Sequence, residues 1–213
     1  EALVKGVMDG AATPAQALAP ENIGLEGVVA TQHTDVAEAR RVLDAAGWAP
    51  GAGGVRSKDG RPLAFTLGSY AQRAELEPLA IAIRDQLRVV GMDVSLERFP
   101  DINTAVAQNG FHATMYSYTV APYGDINRAL GNLYTPSGNN KDRYSNPLIN
   151  SLFAQYLTLM DAGKRHETAR QIQQHLGTDV PLVYVVNPYQ VVAHTPRVRN
   201  LALHPLEIGR AHV

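Results

Sequence analysis

The chain has 213 residues, 45% of them hydrophobic, with 19 Lys and Arg against 20 Asp and Glu for a formal net charge of −1. That length suffices to bury a core, removing roughly 70% of the unfolded surface, while the charge balance excludes the basic field that a phosphate backbone requires, so no nucleic-acid partner is expected. The absence of cysteine removes disulfides, thiolate metal sites and cysteine nucleophiles together, and no run approaches the roughly 18 apolar residues of a membrane helix.

Leu3, Val4, Val7 and Met8 have helical spacing over residues 1–9, ended by Gly10. The sequence opens inside that period with no capping residue, as expected of a chain cut at its N-terminus. Residues 10–33, interrupted by Pro14 and Pro20, read as an irregular covering loop. Thr34 or Asp35 caps a helix over 35–46 on which Val36, Ala39, Val42, Leu43 and Ala46 form an apolar stripe; Gly47 stops it and Trp48 is expected to fold back on the stripe. Asp59-Gly60 signals a hairpin before the alternating strand Leu63, Phe65, Leu67. Leu76, Leu79, Ile83, Leu87 and Val90 then mark a helix over 73–90, and Gly91 leads directly into a strand from Met92 to Leu96. Strand, helix, strand in so short a span is a βαβ unit, which joins parallel strands by a right-handed crossover. The fold class is therefore α/β, a sheet flanked by helices, in one domain spanning 1–213.

Asp101 caps a short helix to about residue 109, and 111–120 reads as a strand. In open parallel sheets ligands lie beyond the carboxyl ends of strands, which singles out the segment that follows, with Tyr116, Tyr118, Thr119, Val120, Tyr123 and Asp125 as candidate ligand contacts. The three tyrosines offer flat, partly polar surfaces. The competing assignments are that Tyr116 and Tyr118 pack within the sheet, and that Asp125 caps a helix over 126–133. Residues 135–146 form a loop rich in Gly, Asn and Ser before helices over 147–161 and 164–177, joined by a turn at 161–164. On the second, Ala169, Ile172 and Leu176 face inward, and Lys164, Arg165, Glu167 and Arg170 form a solvated face. Val180 to Val192 is a β-branched run, limited to an edge strand or a break by Pro188; 198–206 is a further strand and 207–213 frayed.

Chemistry-bearing patterns are sparse. His33, His112, His166, His175, His194, His204 and His212 include no i, i+4 pair of the zinc-binding type. There is no GxSxG elbow, phosphate-binding GxxxxGK loop or GxGxxG turn. No catalytic residue, metal site or cofactor is predicted, although carboxylates brought together by folding leave no linear signature.

Four phrases occur in a fixed order: Leu43 to Trp48 (LDAAGW), Lys58 to Leu63 (KDGRPL), Gly91 to Val94 (GMDV) and Arg143 to Pro147 (RYSNP). Together with the opening EALVKGV and Gly10-Ala-Ala-Thr-Pro, this order resembles the C-terminal half of the family 5 solute-binding proteins that serve peptide and nickel ABC importers. The resemblance implies a type II periplasmic-binding-protein-like lobe with a mixed sheet and no catalysis. It also implies a missing N-terminal lobe to which residues from about 180 onward lead back, a periplasmic or extracellular location with a possible lipid anchor, and two partners: a small-molecule or peptide ligand and a membrane permease. Peptide-binding members often read Trp-x-Ala-Asp-Tyr-x-Asp-Pro after the strand matching 111–119, the first Asp holding the ligand's amino group. Aligned on Ala121, Pro122 takes that Asp's place and Thr119 that of the Trp, while Tyr123 and Asp125 match; the Ala-Pro-Tyr phrase is closer to nickel-chelate-binding members, whose accompanying Trp is also missing here, so the solute stays open among peptides, metal chelates and other small polar solutes. A buried ammonium without a countercharge is strongly disfavoured, which argues against free-amine peptides bound in the usual mode. The alternatives to a transport receptor are a hydrolase or transferase with folded-together acids and a non-transport interaction module.

Overall fold

The computed structural model describes residues 1–18, 32–108, 110–121, 125–136, 140–189, 191, 193–195 and 197–199. In chain order the elements are α1 (Ala2–Gly6), β1 (Ala12–Pro14), α2 (Val36–Ala45), β2 (Ala49–Pro50), β3 (Arg56–Lys58), β4 (Arg61–Pro62) and β5 (Ala64–Tyr70). They continue with α3 (Leu76–Val89), β6 (Asp93–Phe99), α4 (Ile102–Gln108), β7 (Ala113–Thr114), α5 (Asn127–Tyr134), α6 (Pro147–Thr158), α7 (Ala162–Asp179) and β8 (Val186–Pro188). The chain divides into two compact units, one of Glu1–Gly10 with Thr34–Ser117, the other of Ala11–His33 with Tyr118–Val213.

The first unit is built on the predicted βαβ motif. Strand β5 lies between β6 and β7 and is parallel to both, in register with β6 from Ala64↔Asp93 to Tyr70↔Phe99. Helix α3 packs on β5 and β6 and buries Leu76, Leu79 and Ala80. Burial rises along β5, from exposed Ala64 to the buried run Leu67–Tyr70, so its carboxyl end is the dry one. Gly68 fits closely there: a Cβ would lie 3.1 Å from the Phe99 ring and 3.3 Å from Thr114 Oγ1, so both side chains would have to shift slightly.

The predicted strand over 111–120 shortens to Ala113–Thr114, and two side chains account for its limits. At one end His112 Nδ1 accepts from Thr66 N (3.1 Å); at the other Ser117 N donates to the Tyr70 hydroxyl (3.0 Å) where a ladder would use a carbonyl. Tyr70 is buried, and that burial pushes its hydroxyl pKa up, keeping it neutral.

The hairpin at Asp59-Gly60 forms as predicted, with both residues at positive φ (52° and 75°), the backbone that a two-residue type I′ turn demands. Asp35 caps α2 by accepting from Glu38 N (2.9 Å). The apolar stripe of α2 is not buried, however: none of its side chains is, and Val42 is 51% exposed. Polar ties hold the helix in its place. Arg40 donates to the Val89 carbonyl, Asp44 pairs with Arg56, and the Ala46 carbonyl accepts from Lys58 (2.9 Å).

In the second unit α6 packs on α5 and α7. Ala169, Ile172 and Leu176 are buried on α7 as the spacing predicts, and Ile149 and Tyr156 of α6 and Leu130 and Leu133 of α5 are buried as well. Asn146 caps α6 ahead of Pro147 at the first helical position, and Asp161 caps α7 through Lys164 N (2.8 Å), so the predicted inter-helix turn at 161–164 is already the start of a helix. Helix α7 ends at Val180, a left-handed residue (φ 47°) whose N–H bonds back to Leu176. That bend postpones the predicted strand from 180, which narrows to Val186–Pro188 and pairs antiparallel with β1, inside what reads in the sequence as a loop. Val198 and Arg199 are not in a strand; residues 200–213 lie outside the described residues.

Candidate ligand-binding site

Of the candidate contacts, Tyr116 belongs to the first unit, where it is half-buried two residues past β7. Tyr118, Thr119, Val120 and Asp125 belong to the second, the first three again half-buried; Tyr123 lies outside the described residues.

Within the second unit, one helix fixes both ends of the segment from Tyr118 to Asp125. At the near end Asn132 Nδ2 of α5 donates to the Tyr118 hydroxyl (2.8 Å). At the far end Asp125 Oδ1 accepts from Asn127 N, in the first turn of α5 (2.7 Å), and from the Tyr156 hydroxyl of α6 (2.7 Å). The other carboxylate oxygen accepts from Arg165 Nη2 of α7, whose guanidinium lies 4.5 Å from the centre of the Tyr156 ring. Burial, then the bond to Asp125, pushes the Tyr156 hydroxyl pKa up to about 12, so it stays a donor at neutral pH.

Asp125 therefore spends its charge and lone pairs inside the protein, tying the start of α5 to α6 and α7. Arg165, expected on a solvated face, is its counter-ion, with its side chain only 28% exposed. The sequence carried no signal for this triad, since Asp125, Tyr156 and Arg165 sit on three different elements. A second tie in this unit joins buried Tyr134 to half-buried Tyr184: their hydroxyls lie 2.8 Å apart, and Tyr184 N donates to Gln32 Oε1.

The first unit contains a residue that the sequence reading missed. Arg56, 5% exposed, donates through Nε to the Val90 carbonyl (2.9 Å) and through Nη1 to the Trp48 carbonyl (2.6 Å) and to Asp44. Its own N–H donates to the Gly91 carbonyl (2.8 Å). Three of the ordered phrases, LDAAGW, KDGRPL and GMDV, thus converge on an arginine that lies outside all of them.

Among the described residues no group of three or more His, Asp and Glu could hold a metal, and no helix is long and apolar enough to cross a membrane.

Comparison with known proteins places this geometry. The sequence model for bacterial extracellular solute-binding proteins, family 5 Middle, matches residues 1–141. The nickel-binding protein NikA of Staphylococcus aureus is 28% identical over 155 residues, covering 70% of this chain and 32% of that protein. The oligopeptide-binding protein AppA of Bacillus subtilis is 23% identical over 174 residues, covering 79% and 32%. Among solved structures, the nickel ABC transporter protein from Bacillus halodurans superposes with a TM-score of 0.80 at 22% identity, over 87% of this chain and 39% of that one. AppA in complex with a nonapeptide gives 0.72 at 22%, over 88% and 39%. The fold is that of type II periplasmic binding proteins, and the chain spans about a third of the length of the curated relatives it matches. Residues 1–141 carry the family's signature, the sheet and its helices carry its fold, and the chain belongs to the bacterial extracellular solute-binding proteins, family 5.

Proposed function

We propose that this chain is one lobe of the substrate-binding component of an ABC importer. In this reading a second, N-terminal lobe lies outside the sequence, and residues from about 180 onward lead back toward it. Ligand is captured as the lobes close, in the periplasm or outside the cell, with or without a lipid anchor, and is passed to a membrane permease without being chemically changed. The family match over residues 1–141 is the observation that carries the proposal.

In the second unit Tyr118, Thr119, Val120 and Tyr123 touch ligand, while Asp125 positions them; Tyr116 of the first unit is a separate candidate contact. The bonds of Tyr118 and Asp125 to α5 support that division of labour, because side chains already held in place lose little entropy when ligand binds. Closure supplies the affinity, since a pocketed small molecule loses about 70–90% of its surface to protein and one wall alone provides a fraction of that.

The solute is a metal chelate rather than a free-amine peptide. Pro122 offers no countercharge to an ammonium, and Asp125 is neutralised by Arg165. Nickel-binding proteins and the oligopeptide-binding AppA are both among the similar proteins, so the choice rests on Pro122 and Asp125. Isothermal titration of the full-length protein with Ni(II) plus two equivalents of L-histidine, and separately with trialanine, tests it. Saturable binding of the chelate alone is the expected result. Binding of trialanine alone would overturn the choice of solute, and turnover of a peptide or ester panel with no binding of either solute would overturn the transport reading.

A further inference from the structure

A half-open cleft of about 390 Å³ lies beside the β3–β4 hairpin of the first unit, lined by Trp48, Lys58, Asp59 and Arg61. Small-ligand pockets begin at about 300 Å³, so the space suits a compact organic molecule. Its walls are held from behind. Trp48 N donates to the Leu43 carbonyl (2.9 Å) and its own carbonyl accepts from buried Arg56, so the indole leaves a fixed backbone. The Lys58 stem runs over Gly47, where a Cβ would lie 3.5 Å from Lys58 Cε, and its ammonium meets the carbonyl end of α2 at Ala46 (2.9 Å).

The charge pattern is the unusual part. Lys58 and Arg61 are direct cross-strand partners flanking the two-residue turn, and both are exposed. Like charges placed directly opposite across a ladder destabilise it. Neither cation is in an ion pair among the described residues, and Asp59 at the turn sets one acid against the two. An anion between them removes the repulsion. A guanidinium fork beside an ammonium matches a carboxylate, which accepts from both, and an indole offers a flat ring its face.

We propose that the cleft between Trp48 and the Lys58–Arg61 pair is a binding site for a small aromatic carboxylate. The carboxylate bridges Arg61 and Lys58, and the ring lies against Trp48. The site uses nothing from Tyr116–Asp125, so it stands apart from the transport reading.

Trp48 is the single tryptophan of this sequence and provides the probe. Full-length protein labelled with 5-fluorotryptophan, its Trp48 resonance assigned by loss in Trp48→Phe, is titrated with benzoate and followed by ¹⁹F NMR. A saturating shift is expected, with a midpoint on the order of 1 mM for so small a probe, and benzylamine should leave the resonance in place. Arg61→Gln, at an exposed hairpin position where folding is not at risk, should weaken the benzoate midpoint about tenfold. Lys58→Gln should weaken it by a smaller factor, since Lys58 also serves the Ala46 carbonyl. A shift that stays linear, a matching response to benzylamine, or an Arg61→Gln titration like that of the unaltered protein would each overturn the site.

Discussion

The two units anchor their polar interiors differently. In the first, a single guanidinium, that of Arg56, is almost wholly withdrawn from water and ties the end of α2, the hairpin and the turn between α3 and β6 through one side chain. In the second, the ties are several and shallower: Asp125 with Tyr156 and Arg165, Tyr134 with Tyr184, and Asp179 with Tyr144 and Asn146. The difference follows from what surrounds each group. Arg56 sits between the end of α3 and the turn after α2, where the Val90 and Trp48 carbonyls satisfy a planar fork without a second buried charge. The helices of the second unit have no free carbonyls in their middles, so side chains must satisfy one another at the helix ends and margins.

The sharpest way to break this contrast is to remove the buried guanidinium. Arg56→Ala leaves the Val90 and Trp48 carbonyls without that donor in a dry place and should destabilise by about 3 kcal/mol, read as a lower urea midpoint. Asp44→Ala should cost about 1 kcal/mol or less, because Asp44 is 57% exposed and Arg56 keeps its carbonyl partners. A cost for Asp44→Ala equal to that of Arg56→Ala would show that the ion pair, not the carbonyl bonds, holds the unit together.

The second unit should lose less from any one change. Arg165→Met removes the counter-ion of Asp125, and Asp125→Asn removes the charge itself; about 1–2 kcal/mol is expected for each in chemical denaturation. Together they should cost clearly less than the sum, since both break one network. Strict additivity would mean that the two side chains act independently.

What was legible in the sequence divides along the same line. Features set by near neighbours in the chain were readable: the Asp35 cap, the Asp59-Gly60 turn, the βαβ unit from β5 to β6, and the inward residues of α7. Features set by distant partners were not. Strand β1 is three residues long and exists because Thr13 pairs with Asn187, a partner that no local pattern announces. The stripe on α2 looked like a buried face, but its helix is tethered by hydrogen bonds and charge, which leave no periodicity. Within the candidate site, the position of the segment beyond a parallel strand was legible from topology. The neutralisation of Asp125 was not, because Arg165 is forty residues away and reads as one of four charges on a helix surface.

Val180 shows a smaller local cost. It is β-branched and left-handed at the end of α7, with its side chain 45% exposed, so little packing offsets the backbone strain. Val180→Gly should raise stability by about 0.5–1 kcal/mol in thermal unfolding, relief of strain outweighing the added freedom of the unfolded chain. A loss of stability would mean that the valine side chain packs usefully despite its exposure.

The finest distinction concerns pH and the margin of the second unit. The Tyr144 hydroxyl and then the Asn146 amide, 2.7 Å away, hold the Asp179 carboxyl below the usual carboxylate range. Folded protein therefore gives up this proton at lower pH than the unfolded chain does. The stabilisation is complete above the unfolded value of about 4 and is lost as pH falls through the folded one. Asp179→Asn removes that titration and nothing else acidic. The urea midpoint of the unaltered protein should thus fall relative to that of Asp179→Asn as the pH drops from about 5 to about 3, and the two should run parallel above pH 5. The effect is small because Asp179 is open to water, where its bonds compete with solvent. If the two proteins kept a constant separation down to pH 3, Asp179 would titrate alike in both states, and its bonds to Tyr144 and Asn146 would contribute nothing that depends on its charge.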